Sequence, residues 1–135
     1  MCFFHPKIGP SDSSPRTTIP WSCRSAIGKT SVLLEGDAEK AVERRIATLH
    51  YPRADLLKVG HHGSATSTTP EILQSVKPTY AVISLGFHTS FGFPKADVLE
   101  RLQASGVRVY RTDLDGAVTF YLDGHSVTPR LPSLE

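Results

Sequence analysis

Asp37 and the adjacent pair His61 and His62 are the side chains of this 135-residue sequence whose types and setting best suit chemistry. Each follows a short apolar run that closes on glycine: Val-Leu-Leu-Glu-Gly before Asp37, and Asp-Leu-Leu-Lys-Val-Gly before the histidines. A carboxylate and an imidazole are the oxygen and nitrogen donors of zinc and manganese hydrolase sites. A carboxylate can also bridge two cations about 3.5–4 Å apart, with the attacking water between them. Adjacent side chains on extended backbone point opposite ways. The pair therefore predicts one histidine as ligand, and the other orienting substrate or shuttling a proton. Asp37 has a plainer use too, as N-cap of a helix starting at Ala38.

The elements that must position these residues follow from periodicity. Val32 to Asp37 and Ala54 to Val59 have the look of buried strands. Between them, Ala38 to Leu49 repeats apolar residues at helical spacing, with Glu39, Lys40, Glu43 and Arg44 on a solvated face. If that helix is a crossover, the strands lie parallel and both loops open at the carboxyl edge of one sheet, where open α/β sheets bind ligands. Further along, Thr69 and Pro70 predict a helix start, running to Val76 before Lys77-Pro78. Tyr80 to Ser84 is a third strand, and its loop from Leu85 to Phe93 is a candidate rim of the site. Pro94 opens a helix that Gly106 ends, Val107 to Tyr110 is a fourth strand, and residues 117–128 form a hairpin. The expected order is β-α-β-α-β-α-β-β-β in a mixed sheet, with residues 1–24 a loosely ordered Pro-rich leader, 25–128 the domain and 129–135 a tail.

Other motifs carry less. Gly28-Lys29-Thr30 lacks the first glycine of a phosphate loop, because position 23 is Cys, and it precedes a strand rather than a helix. A turn feeding the strand is the better reading. Asp113 and Asp115, in Thr-Asp-Leu-Asp-Gly, fit a turn. His5, His50 and His125 have no ligand-like setting, and His88 is a lone histidine in the candidate rim.

Composition narrows the class. With 39% hydrophobic and 21% charged residues, 135 residues suffice for one globular domain with a core. A net charge of +2 is too mild to argue for a nucleic-acid partner. No run approaches the roughly 18 apolar residues of a membrane span. The two cysteines make no framework, so the default expectation is a soluble, cytoplasmic chain.

Taken together, Leu33 to Asp37, Ala54 to Ser64, Pro78 to Ser84, Phe91 to Pro94, Val98 to Leu102 and Arg111 to Ala117 resemble the carboxyl-terminal half of the metallo-β-lactamase-like domain of ComEC family competence proteins. The resemblance covers about residues 28–124 and keeps the family's order and spacing. It implies an αββα fold of two half-domains, in a polytopic inner-membrane protein that takes up single-stranded DNA. The soluble domain is then a metal-dependent nuclease, with Zn or Mn as cofactor. On the resemblance, Asp37 is the bridging carboxylate, His62 a metal ligand and His61 the supporting catalytic residue, with Ser64 and Thr89 at the substrate. Thr89 stands where the family usually has Asn, and Phe93 where it commonly has His. The family's His-x-His-x-Asp-His motif is absent, which leaves two good ligands where a catalytic zinc needs about three. The resemblance therefore implies a truncated domain with weak or no activity alone. Two alternatives are a non-catalytic interaction module that complements another half-domain, self-associates or binds DNA weakly, and a different hydrolase of the same fold.

Overall fold

The structure, a computed structural model, describes residues 22–48, 53–87 and 91–132. Strands β1 (Ser22–Ile27) and β2 (Thr30–Glu35) form a hairpin, followed by α1 (Lys40–Thr48), β3 (Leu56–Lys58) and a tight 3-10 turn at Gly60–Gly63. Next come α2 (Pro70–Val76), β4 (Tyr80–Ile83), α3 (Ala96–Ala104), β5 (Arg108–Arg111), the single-turn helix α4 (Thr112–Asp115), β6 (Thr119–Leu122) and β7 (Val127–Arg130). The main sheet runs β1-β2-β3-β4-β5, and β6 and β7 form a two-stranded sheet of their own. β1 is antiparallel to β2, whereas β2–β3, β3–β4 and β4–β5 are parallel. The α/β class and the mixed sheet are as the sequence predicts.

Alternation along the strands divides the sheet into two faces. Leu33, Leu57, Ala81 and Ile83 point into a buried cluster with Ile46 of α1, Ile72 and Val76 of α2, and Val98 and Leu102 of α3. On the other face the row Leu34, Lys58, Val82, Tyr110 is in register across four strands. That face receives the small sheet at one end: Phe120 of β6 lies 6.0 Å from the Tyr80 ring and 5.4 Å from the Tyr110 ring. The turn at Gly124 reaches the β1–β2 turn, where Lys29 N–H donates to Gly124 O at 2.8 Å. Gly28 has φ +56°, and a Cβ there would stand 2.7 Å from that same carbonyl oxygen, so only glycine fits.

Several boundaries differ from expectation. β1 begins at Ser22, inside the stretch expected to be leader, and residues 1–21 lie outside the described residues. Its sequence, Ser-Cys-Arg-Ser-Ala-Ile, has no apolar run because an edge strand is held by backbone pairing to β2 and buries little. α1 begins at Lys40 rather than Ala38, and β7 extends to Arg130, into the expected tail. The Thr112–Asp115 turn closes into one turn of helix. At α2 expectation and structure agree: Pro70 is the first residue, and Thr69 Oγ1 accepts from Ile72 N–H at 3.3 Å.

Candidate functional site

β2 and β3 are parallel neighbours, so the segments carrying Asp37 and the histidines leave the sheet at the same edge. Backbone contacts then close them together. His61 N–H donates to Gly36 O at 2.8 Å, and a Cβ on Gly60 would stand 2.8 Å from Ala38 O. The second approach requires glycine at 60. Asp37 is exposed beside this junction. Since α1 starts three residues later at Lys40, and Glu39 O takes the first helical amides, Asp37 does not occupy the capping position expected for it.

The histidines are not on extended backbone, contrary to expectation. Both sit in the left-handed region, with φ 43° for His61 and 55° for His62. Two consecutive non-glycine residues there are uncommon, and such strain concentrates at functional sites. Their rings still find different partners. His61 Nδ1 lies 3.2 Å from Glu39 Oε1, off hydrogen-bond alignment, and its ring is 6.0 Å from that of Phe93. His62 Nδ1 lies 2.6 Å from Ser84 O at the exit of β4. A carbonyl only accepts, so His62 Nδ1 carries a hydrogen, and in the neutral ring Nε2 then carries the lone pair, on an exposed residue.

The strained turn is fastened from below and behind. A Cβ on Gly63 would lie 2.6 Å from Pro94 Cβ, and Lys95 N–H donates to Gly63 O at 2.9 Å. Ser67 Oγ lies within hydrogen-bond reach of both Gly60 O and Ser64 O, at 2.8 and 2.9 Å. The buried Glu43 carboxylate of α1 accepts from Thr68 N–H and Thr69 N–H. Ser64 shares its hydroxyl with that of Thr66 at 3.0 Å, and Thr89 and His88 lie outside the described residues.

Two charged groups beneath the site escaped the sequence reading. Glu35, on the helix-covered face of β2, is fully buried, and neither carboxyl oxygen meets a partner at hydrogen-bond geometry. Burial pushes its carboxyl well above the usual range and the Glu43 charge adds to this; Lys58 and the Gly60 amide oppose it. Lys58 Nζ donates to Glu35 O at 3.0 Å and to Val59 O at 3.2 Å. Desolvation lowers its pKa, and the charges of Asp37 and Glu35 pull it back up. The available signal was alternation: Glu35 falls on the inward register of a strand, where an acid is out of place.

At the rim, Phe91 is 73% exposed and stacks on Phe93, with centroids 6.1 Å apart and planes 21° from parallel. Lys95 Nζ lies 5.4 Å from the Phe93 centroid. Asp113 and Asp115 are spent locally, as their turn reading implies. The Arg111 guanidinium donates to both Asp113 oxygens at 3.1 and 2.6 Å, and Arg111 N–H donates to Asp115 at 2.7 Å.

His62 by itself has the arrangement of a metal-binding histidine, with one ring nitrogen fixed by a carbonyl and the other free. The set is incomplete. Among the described residues no group of three or more His, Cys, Asp or Glu side chains is placed to hold a metal ion. These donors alone do not fit a catalytic zinc.

No family model matches the chain. It is 41% identical over 95 residues to ComE operon protein 3 of Bacillus subtilis, covering 69% of this chain and 12% of that protein. It is 44% identical over 91 residues to Recombination protein 2 of Haemophilus influenzae, covering 67% and 11%. Over 101 residues it is 35% identical to Competence protein ComA of Neisseria gonorrhoeae, covering 73% and 15%. The chain thus spans only about an eighth of the length of these relatives.

Proposed function

Because the chain belongs to the ComEC family of competence proteins, we propose that it is the late half of a metallo-β-lactamase-like, metal-dependent nuclease domain in a DNA-uptake protein. The observation that carries this reading is the junction of the two loops. The His61 amide bonds Gly36 O beside Asp37, and His62 turns a free Nε2 outward. In this reading Asp37 and His62 would be two of the residues holding a Zn or Mn ion, whose chemistry when bound would be the activation of water. His61 moves a proton, and Ser64 and Thr89 lie along the substrate. Donors from a preceding half-domain complete the metal shell. Single-stranded DNA suits the rim: the open face of Phe91 offers a surface for an unpaired base, and Lys95 adds a positive charge.

The test is a calorimetric titration with Mn²⁺ and Zn²⁺ beside a cleavage assay on single-stranded DNA. The isolated chain is expected to bind weakly and turn over little or nothing, and a chain joined to the His-x-His-x-Asp-His half is expected to cleave. Turnover by the isolated chain that Asp37→Ala abolishes would overturn the incompleteness. A joined chain in which Asp37→Ala and His62→Ala leave cleavage unchanged would overturn the site.

A second reading is favoured by the sheet face opposite the helices, where Leu34 is 38% exposed and Val32 and Val82 are half-buried. Here the chain is a non-catalytic module that covers this face with another half-domain or a second copy of itself. No described helix is long and apolar enough to cross a membrane.

A further inference from the structure

We infer that Thr112 is a positioning residue: its hydroxyl grips the peptide between Ser84 and Leu85, and through it fixes which nitrogen of His62 faces the site. Pairing of β4 with β5 ends at Ile83 and Arg111. One residue further the chain turns into α4, so the polar groups of the buried Leu85 lose their ladder partners. Thr112 Oγ1 replaces them, accepting from Leu85 N–H at 2.7 Å and donating to Leu85 O at 2.8 Å. The Leu85 N–H and the Ser84 C=O belong to one planar peptide unit. Thr112 holds one end of that plane, and the other end accepts His62 Nδ1–H at 2.6 Å.

Hydrogen bonds in such a series polarise one another, so the grip on the amide strengthens the carbonyl as acceptor. Arg111 and Asp115 fix Thr112 in turn, because the Asp115 carboxylate accepts the Arg111 amide and closes the turn on which Thr112 sits. The Thr-Asp-Leu-Asp-Gly segment thus serves the site through its hydroxyl, while its carboxylates hold the turn. Without the hydroxyl the Ser84 peptide is free to tilt, and the ring to exchange its Nδ1–H form for the Nε2–H form, which offers no lone pair outward.

The inference rests on the placing of His62 at the site, and its test reads the ring rather than activity. Two-bond ¹⁵N–¹H correlation spectra of the ¹⁵N-labelled 135-residue chain, recorded where the ring is neutral, report the tautomer, with His62→Gln giving the assignment. The chain and Thr112→Ser are expected to show His62 in the Nδ1–H form. Thr112→Val is expected to lose that single form to a mixture while keeping its amide fingerprint. A folded Thr112→Val with an unchanged tautomer overturns the inference. Should that variant not fold, amide exchange in the unaltered chain decides. Protection of Leu85 about tenfold or more beyond that of Gly86 supports the bracket, and exchange of Leu85 at open-loop rates overturns it. A bracket that passes these tests in a joined chain that leaves DNA intact counts against the nuclease reading alone.

Discussion

Of the two buried carboxyls whose pKa burial raises, Glu43 and Glu35, the stronger shift belongs to Glu35. Its carboxyl is buried without a well-aligned partner, and burial followed by the Glu43 charge raises its pKa well above 4.5. A raised carboxyl pKa means that the folded state holds the proton more tightly than the unfolded chain. Its contribution is therefore complete below about pH 4.5 and lost as pH rises through the folded value. Glu35→Gln cannot ionise. It is expected to match the parent near pH 4 and to exceed it at pH 8 by about 1–3 kcal/mol, the usual cost of a buried group without a partner. Urea melts at the two pH values check this, and an equal difference at both would sink it. Gly63→Ala is expected to go the other way. Its φ is +79° and the new Cβ would lie 2.6 Å from Pro94, so a loss of about 1–3 kcal/mol in the same melts is expected. Asp37 and the two histidines were legible as residues because donors beside glycines at strand ends stand out. Glu35 and Lys58 were not, because their importance comes from the desolvation that packing imposes.

At the scale of elements, α2 was readable to the residue and β1 was not. Thr69 and Pro70 are local stop-and-start signals, and the cap bond to Ile72 N–H needs nothing beyond the helix itself. Thr69→Ala is expected to cost about 1 kcal/mol in denaturant melts, a typical cap loss. An unchanged midpoint would show that Glu43 alone secures this end through Thr68 and Thr69. β1 gave no such signal, since its order depends on pairing with β2 across Gly28. The His-His turn belongs with β1. Its left-handed backbone is held by Gly36, Ser67, Pro94 and Lys95, contributed by three separate segments.

Among the described residues, one sheet face is sheathed by three helices and the other only in part by β6 and β7. If the partly covered face is where another half-domain or a second copy sits, sedimentation velocity should show association that Leu34→Asp weakens by about tenfold or more, roughly the cost of placing a charge in an apolar contact. A monomer at all concentrations, unaltered by that substitution, argues against the face as an interface. The sequence by itself determined the α/β class, the three longer helices and most strands, and the family kinship. It could do so because apolar period, caps and turn residues are local, and because Asp37, His61 and His62 sit in a recognisable order. Only the tertiary structure decided that both histidines are left-handed, that His62 Nδ1 meets Ser84 O, that the Thr112 hydroxyl brackets Leu85, and that Glu35 is buried beside Lys58. Each of these depends on a hydrogen bond or a desolvation between residues more than twenty positions apart, a distance over which local pattern carries no physical constraint.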